Sequence, residues 1–392
     1  MGAENISAEE LVERAAKIVP LLRENAMEAE RRGMVPDSSM VALREAGLLD
    51  MFKPRSHGGL EVSLRTSVAV QAELGRGCGS TAWVVSQLNG NALIACMASA
   101  EVRTELFARH DTYLTGALAP ASAMVQPAPG GYLISGLWPF CSGCRHASWI
   151  GVGAPFETAD GQADYGLFYL PATDLEIVDD WHVSGLAGTC SNSVRAAEAF
   201  VPRSRVLEFA RVLDETFLPD GLDGPLYRMP LVAAMLLNAV SSCLGMAQGA
   251  IEEFTSRLPG RGIAYTTYPD RADAPMTHLQ VAEATLKLDA ARLFLQRGVD
   301  DLETHAARHE IVHQHGRIRG RMDAAQTAAL CREAIEIIFD ASGGGSLALS
   351  NPIQRFARDA RALCQHAALS IRPITETYGR SLLDLPTNTP FV

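Results

Sequence analysis

The sequence predicts an α+β protein with three parts in the order helical domain, compact β domain and C-terminal helical bundle. Helical spacing of apolar residues dominates up to about residue 107. Short runs rich in β-branched and aromatic residues fill 112–208, and long alanine-rich helical patterns follow from about residue 226. No βα alternation of the Rossmann kind is present. We expect domain boundaries at 1–111, 112–210 and 211–392.

The first part begins with a capping-box signal, Ser7-x-x-Glu10. The apolar face of the helix that follows consists of Leu11, Ala15, Ile18, Leu22 and Ala26. Pro36-Asp37 breaks the chain, and further helices are predicted over Ser38–Leu49, Thr66–Leu74 and Ser80–Met97.

The middle part contains six runs that read as strands, because each is bounded by turn residues and lacks helical periodicity. These runs are 112–120, 130–140, 148–156, 165–171, 175–183 and 193–202. They predict a compact all-β domain of roughly 100 residues.

The sequence pattern of the last part predicts four long helices, which indicate a four-helix bundle that also packs between subunits. The predicted helices are Pro230–Arg257, Met276–Leu302, Asp323–Ala341 and Pro352–Ile371. The most apolar window, 230–250, carries Asn238, Ser241 and Gln248, so we interpret it as a buried core helix and not a membrane span.

Composition narrows the function classes. A formal charge of −11 argues against nucleic acid or an anionic membrane as the main partner and fits a protein that acts on a small molecule. The 8 cysteines are scattered, which indicates a reducing compartment and no disulfide scaffold. The first 17 residues lack the apolar core of a signal peptide, so we expect a cytoplasmic protein.

A literal HExxH motif occurs at His309–His313. On a helix, this spacing would place two zinc ligands and a general base on one face, as in metalloproteases. The flanking sequence HAARHEIVHQHGRIRGR is highly charged and has few apolar residues that could bury a site. We therefore predict an exposed helix end and connector without a resident metal, and a metallohydrolase remains a third function class.

The stretch WPFCSGCRHASW, 138–149, contains a CxxC motif. A zinc ribbon needs a second such pair, which the sequence lacks, and a thioredoxin-type site needs the dithiol at a helix N-terminus. Cys141 and Cys144 are therefore predicted to be packing residues at a strand turn. The informative residue is Ser142, which lies between them.

Several blocks resemble one family when they are taken together. They are GCGSTAWV, GGYLISGLWPFCSGCRHASWIGVGA, WHVSGLAGTCSNSVRAAEAFVPRSR and PIQRFARDARALCQHA. In this order they resemble the oxygenase components of two-component flavin-dependent monooxygenases built on the acyl-CoA dehydrogenase fold, a group that includes the p-hydroxyphenylacetate hydroxylases. The resemblance runs from about residue 30 to 380 and implies the same order of helical, β and helical-bundle domains.

The resemblance implies that Ser142 faces the flavin ring near N5. A hydroxyl there would stabilise a C4a-hydroperoxyflavin against loss of hydrogen peroxide in a dry pocket. Trp138 and Phe140 would wall that pocket. The alternative is that both are core aromatic residues of the β domain.

The resemblance also implies that His366 lies near the reacting oxygen and the substrate, where it would accept or hold a phenolic proton. Asp359 precedes it by seven residues, which predicts one helical stripe, and Asp359 is interpreted as structural, paired with an arginine. The alternative for His366 is a satisfied core histidine. Ala367 stands where many acyl-CoA dehydrogenases carry their catalytic glutamate, which weakens the alternative function of a dehydrogenase or related flavin oxidase.

Two positions depart from the family pattern. Asn91 stands near a position where many of these hydroxylases carry histidine, and Gly116-Ala117 replaces serines found in some relatives. Both positions help to bind substrate in the phenol hydroxylases. Asn91 and Ala117 are therefore predicted substrate contacts, and the substrate is expected to be an aromatic or polyketide-like small molecule.

The remaining expectations concern the cofactor and the assembly. Arg261, Gly343 and Gly344 are candidate contacts to the flavin phosphate, although a helix C-cap alone would explain the glycines. The resemblance implies reduced FMN or FAD supplied by a separate NAD(P)H:flavin reductase, O2 as co-substrate, and a homotetramer with flavin sites near subunit boundaries. The chain itself contains no NAD(P)H motif.

Overall fold

The computed structural model describes residues 6–158, 161–214, 216–389 and 391. Residues 1–5, part of the stretch interpreted as lacking a signal peptide, lie outside the described residues. The chain begins with five helices, α1 (Ala8–Arg32), α2 (Asp37–Glu45), α3 (Leu64–Gly77), α4 (Gly79–Ala95) and α5 (Ala100–Leu106). The predicted cap is present, since Ser7 Oγ accepts from the N–H of Glu10 at 3.1 Å. The predicted apolar face of α1 is buried.

Two four-stranded sheets form the β domain. In chain order the strands are β1 (Leu114–Ala117), β2 (Ser122–Ala128), β3 (Gly131–Trp138), β4 (Trp149–Glu157), β5 (Ala163–Pro171), β6 (Glu176–Ile177), β7 (Val194–Pro202) and β8 (Val206–Glu208). One sheet has the order β1-β4-β5-β8, and the other has the order β2-β3-β7-β6. The six predicted runs are all strands. The sequence missed β2, which is mostly exposed, and β8, which is only three residues long.

The C-terminal part contains a short helix, α6 (Phe209–Leu213), followed by five longer ones. These are α7 (Leu231–Ser256), α8 (Pro275–Ala307), α9 (Gln314–Ala341), α10 (Pro352–Leu363) and α11 (Ile371–Leu382). The start predicted for α9 at Asp323 was wrong, because the helix begins nine residues earlier. Its polar first turns pack through charge pairing, as between Arg319 and Asp301 on α8.

The prediction of a single helix over Pro352–Ile371 was also wrong, because α10 ends at Leu363 and a turn separates it from α11. The turn is held by backbone hydrogen bonds from His366 N to Leu363 O at 3.0 Å and from Leu369 N to His366 O at 2.8 Å. Leu369 is buried in the bundle core, so tertiary packing ends the helix without a proline or glycine signal.

The apolar helix α7 is the core of the bundle, as predicted. It is long and apolar enough to cross a membrane by length and composition, but 83% of its most apolar window is buried within the protein. It packs against α3 at very close range: a Cβ on Gly245 would overlap the backbone oxygen of Ala72, and a Cβ on Gly75 would overlap that of Ser242. This close packing joins the N-terminal helices to the bundle.

Candidate active site

Ser142 lies in the turn that follows β3, at the base of the β domain. Gly143 adopts φ 75°, a left-handed conformation that favours glycine. Two backbone hydrogen bonds fix this turn to the segment that precedes β7, Gly143 N to Thr189 O at 2.9 Å and Cys141 N to Asn192 O at 3.2 Å. The flanking Cys141 and Cys144 are buried free thiols, as the sequence predicts.

The Ser142 hydroxyl is part of a chain of buried polar groups. Its Oγ accepts from Trp83 Nε1 at 3.1 Å and lies 2.7 Å from Ser191 Oγ. Ser191 Oγ in turn lies 2.7 Å from Thr189 Oγ1, which donates to the carbonyl oxygen of Leu186 at 2.8 Å. The hydroxyl of Ser142 is therefore oriented by its neighbours and is not free to rotate.

Trp83 on α4 also connects Ser142 to His366. The indole of Trp83 and the imidazole of His366 pack edge to face, with ring centroids 5.3 Å apart. His366 keeps exposed surface, although surrounding protein desolvates its ring and lowers its pKa below the usual value. The lowered pKa favours the neutral form of the ring, which can accept a proton at neutral pH.

Asp359 on α10 ties the bundle to the same segment of the β domain. Its Oδ1 accepts from the backbone N–H of Leu186 at 2.6 Å, and burial raises the pKa of this carboxyl to about 6. The interpretation of Asp359 as structural agrees with this contact, but its hydrogen-bond partner is a backbone amide and not an arginine. The single helical stripe expected for Asp359 and His366 was wrong, because α10 ends before His366.

Strand β1 contacts both the turn that carries Ser142 and Asn91 on α4. Thr115 Oγ1 donates to the backbone oxygen of Ser142, and the next residue, Gly116, faces Asn91 so closely that a Cβ on Gly116 would lie 2.8 Å from Asn91 Oδ1. Ala117 points away from this contact and packs in the core of the β domain. The expectation that Ala117 contacts the substrate is therefore corrected, because neighbouring strand residues face opposite sides and the Ala117 side chain faces the core of the β domain.

The two aromatic residues predicted beside Ser142 have different environments. Trp138 is completely buried between the two sheets, and its indole N–H donates to Gly153 O at 2.7 Å, so it is a core residue and does not wall a flavin pocket as expected. Phe140 is 69% exposed, adopts φ 63° and packs edge to face on Trp181 with centroids 6.0 Å apart. Phe140 thus presents an apolar ring that is open to a bound molecule.

Arg261, Gly343 and Gly344 form a separate group on the surface of the bundle. Arg271 links them, since its backbone N–H donates to Arg261 O at 2.6 Å and its Nη1 donates to Ala341 O at 3.2 Å. Gly343 has φ 66°, and a Cβ on Gly344 would meet nothing within 4 Å. The group is exposed and open to a neighbouring molecule.

The HExxH motif does not form a zincin site. His309–His313 falls between α8 and α9 outside any helix, with His309 at φ 58°, as the predicted connector requires. The described part of the chain contains no group of three or more His, Cys, Asp or Glu side chains suited to hold a metal ion. Glu310 instead borders a cavity of about 260 Å³ near Met97, at the opposite end of α4 from Trp83.

The residues around Ser142 suit a planar heteroaromatic ring that carries an N–H group. Ser142 Oγ accepts from Trp83, whose ring packs on His366, and the exposed ring of Phe140 lies two residues before Ser142 in the chain. Sequence reasoning missed Trp83, Thr189 and Ser191 as site residues. All three lie in the sequence blocks that carry the family resemblance, so position within those blocks was the available signal.

Comparison with protein families matches residues 7–110 to the acyl-CoA dehydrogenase N-terminal domain and residues 237–371 to the acyl-CoA dehydrogenase C-terminal domain. Among characterised relatives, the oxygenase subunit HsaA of a flavin-dependent monooxygenase from Rhodococcus jostii (strain RHA1) is 32% identical over 96% of this chain and 98% of that protein. The oxygenase component of the FADH(2)-dependent resorcinol hydroxylase from Rhizobium sp. (strain MTP-10005) is 32% identical over 96% of this chain and 94% of that protein.

Solved structures give the same result. The 3-HSA hydroxylase from Rhodococcus sp. RHA1 superposes with a TM-score of 0.91 at 32% identity, covering 98% of this chain and 99% of that one. XiaF from Streptomyces sp., solved in complex with FADH2 and glycerol, superposes with a TM-score of 0.91 at 31% identity, covering 98% of this chain and 97% of that one.

Proposed function

The chain belongs to the flavin-dependent monooxygenases of the acyl-CoA dehydrogenase fold, as the oxygenase component of a two-component system that uses reduced flavin and O2, and from this premise we propose that Ser142, Trp83 and His366 form its oxygenation site. The observation that carries the proposal is the buried polar chain that ends on Ser142, whose donor Trp83 packs on the exposed ring of His366. The acyl-CoA dehydrogenase alternative is not favoured.

Bound reduced flavin supplies the reaction with O2 activation and one transferable oxygen atom. The protein residues have three tasks around it. Ser142 accepts the N5–H of the ring and fixes its position, while Phe140 and Trp83 exclude water from the ring. His366, neutral at physiological pH, accepts the phenolic proton of the substrate and makes the aromatic ring more nucleophilic.

We propose an aromatic or polyketide-like phenol as the substrate. Relatives of this chain are named a resorcinol hydroxylase and a p-hydroxyphenylacetate 3-hydroxylase, and a neutral His366 suits a phenolic proton. Asn91 supplies an amide where many of the hydroxylases carry histidine, and its Oδ1 packs tightly against Gly116, where a Cβ would be only 2.8 Å away. A titration of simple phenols against the wild type and Asn91→His tests this assignment, and tighter binding by the variant is expected.

We further propose that an NAD(P)H:flavin reductase delivers the reduced flavin and that the protein is a cytoplasmic homotetramer. Names of relatives as oxygenase subunits or components support a separate partner. An apolar stripe on α8, consisting of Leu279, Leu286 and Leu293, is 65–68% exposed in the single chain. Contact with a second copy would cover this stripe, and Arg261 with the Gly343-Gly344 turn would then reach a neighbour's flavin phosphate.

A stopped-flow experiment tests the site. Anaerobic protein with reduced FMN, and separately with reduced FAD, is mixed with oxygenated buffer, and the appearance of oxidised flavin is followed. The wild type should delay reoxidation relative to free flavin, and Ser142→Ala should shorten the delay. Ser256→Ala, at an exposed serine at the end of α7, is the matched control and should behave as wild type. Reoxidation at the free-flavin rate with both cofactors would contradict the proposal.

A further inference from the structure

We propose that Thr189 and Ser191 are positioning residues that fix Ser142 as a hydrogen-bond acceptor, and that these two hydroxyls set the ratio of the site's affinities for reduced and oxidised flavin. The inference rests on the proposed placement of the flavin N5 beside Ser142. It adds a role for two residues that do not themselves contact the ring.

The direction of the hydroxyl chain follows from counting hydrogens. The carbonyl oxygen of Leu186 can only accept, so the single hydroxyl hydrogen of Thr189 points to it across 2.8 Å. The 2.7 Å contact between Thr189 and Ser191 therefore uses the hydrogen of Ser191. The 2.7 Å contact between Ser191 and Ser142 then uses the hydrogen of Ser142.

The reverse direction is disfavoured by the same distances. If Thr189 donated to Ser191, lone pairs of Thr189 Oγ1 and Leu186 O would face each other at 2.8 Å. No solvent is at hand to compensate, because Ser142, Ser191 and Thr189 are 8%, 4% and 0% exposed. Leu186 is itself held in place, since its N–H donates to Asp359 and its carbonyl also accepts from Trp181 Nε1 at 3.2 Å.

Ser142 Oγ therefore donates to Ser191, accepts from Trp83, and has one lone pair left and no hydrogen left. The N5 atom of reduced flavin carries a hydrogen and can donate to that lone pair. The N5 atom of oxidised flavin has only a lone pair, so it would face the oxygen of Ser142 without a hydrogen between them. The fixed polarity thus stabilises the reduced cofactor and repels the oxidised one.

Equilibrium binding of FMN and FAD, each reduced under anaerobic conditions and oxidised, measures this preference as the ratio of the two dissociation constants. Thr189→Val removes the acceptor for Ser191, and Ser191→Ala removes the acceptor for Ser142. Either change frees the Ser142 hydrogen to reach oxidised N5. The ratio of dissociation constants, oxidised over reduced, should fall by about tenfold, the size of one hydrogen bond. Oxidised flavin should bind more tightly, while reduced flavin keeps its affinity.

Thr189→Ser keeps the hydroxyl and should keep the wild-type ratio. The midpoint potential of bound flavin gives a second readout, because a tenfold fall in the ratio lowers it by about 30 mV for a two-electron couple. A merely structural role would weaken both redox forms together. If Thr189→Val misfolds, Ser191→Ala carries the same prediction.

The variant Ser142→Ala distinguishes a failure of the hydroxyl-polarity inference from a failure of the proposed flavin site. If Ser142→Ala weakens reduced-flavin binding while Thr189→Val and Ser191→Ala leave the ratio unchanged, the polarity inference is overturned and the proposed site stands. If Ser142→Ala changes neither redox form, the flavin is not beside Ser142 and both proposals fall.

Discussion

Asp359 Oδ1 on α10 accepts a hydrogen bond of 2.6 Å from the backbone N–H of Leu186 in the β domain. This contact closes a circuit around the proposed site. From Leu186 the circuit runs through Thr189 and Ser191 to Ser142, then through the indole of Trp83 to His366, which follows α10 in the chain. The β domain and the bundle therefore position the two proposed catalytic groups relative to each other.

The first prediction concerns the stability cost of ionised Asp359. Burial raises its pKa from 3.8 to about 6, so the folded state binds more protons than the unfolded state between these values. The contribution of Asp359 to the free energy of unfolding therefore falls as the pH rises through this window. Asp359→Asn keeps an acceptor for Leu186 and cannot ionise, so it should match the wild type near pH 4. Above pH 6 it should be more stable by on the order of 2–3 kcal/mol.

Denaturant unfolding of the wild type and Asp359→Asn across pH 4–8 measures this difference. Asp50 also has a pKa raised to about 6 by burial, but it is present in both proteins and cancels in the comparison. If the difference in unfolding free energy between the two proteins does not change from pH 4 to pH 8, Asp359 is ionised in the folded state over this whole range and its pKa is not raised.

The second prediction concerns Gly185, which lies where the β domain meets α10. A Cβ at this position would overlap the backbone carbonyl of Arg358 and lie 3.1 Å from Ala362 Cβ. Gly185→Ala should therefore push the Leu186 segment away from α10, lower the unfolding free energy by about 1–3 kcal/mol and weaken flavin binding. Urea unfolding and flavin titration measure the two effects.

Gly379 provides the matched control. It lies within α11, and a Cβ there would meet nothing within 4 Å. Gly379→Ala should be neutral or stabilising by up to about 1 kcal/mol, because alanine is the better helix former, and it should leave flavin binding unchanged. Equal loss of flavin affinity in both variants would mean that the contact at Gly185 has no special role.

The third prediction separates the two contacts of Trp83. Trp83→Phe retains an aromatic ring against His366 but removes the N–H that donates to Ser142. The delay before oxidised flavin appears in the stopped-flow experiment should shorten by about threefold to tenfold, the value of one buried hydrogen bond. Trp149→Phe, at a residue that stacks on Arg205 with 4.9 Å from the guanidinium carbon to the ring centroid, is the control and should keep the wild-type delay.

Much of this arrangement could be predicted from local sequence, and the exceptions have physical causes. Ser7 caps α1 and the apolar face from Leu11 onward is buried, because both signals act within a few residues. The turn at His366 carries no local signal, since it depends on burial of Leu369 by the rest of the bundle. Likewise, Trp138 and Phe140 are two residues apart, yet only contact between the sheets decides that one is buried and the other open.

The chain of hydroxyl groups that leads to Ser142 could not be predicted from local sequence either. Thr189 and Ser191 lie about 50 residues from Ser142 in the sequence, and hydroxyl residues are common in loops. Their shared contact depends on the pairing of the turn after β3 with the segment before β7, which no residue pattern within either segment specifies. Family resemblance pointed to the blocks, and the structure identified the residues within them.

The fourth prediction concerns the protonation of His366. Desolvation lowers its pKa below the ordinary value of 6.5, so the ring should be neutral at pH 7 and charge only in more acidic solution. NMR titration of the His366 ring proton, assigned by its loss in His366→Gln, should give a midpoint below 6.5. Oxygenation of a phenolic substrate should decline as the pH falls through that midpoint. A midpoint at or above 6.5 would count against His366 as the base.

The last prediction concerns the apolar stripe on α8. Leu279, Leu286 and Leu293 are spaced by seven residues, so they share one face of the helix, and each is at least 65% exposed in the single chain. Leu286→Glu places a charge in the middle of this face, and burying that charge in an interface would cost several kcal/mol. Light scattering should therefore show a tetramer for the wild type and smaller species for Leu286→Glu. Val41→Glu, at a 44% exposed residue on α2, is the control and should remain tetrameric. An unchanged mass for Leu286→Glu would place the interface elsewhere, and the proposal that Arg261 and Gly343 serve a neighbour's flavin would then lose its support.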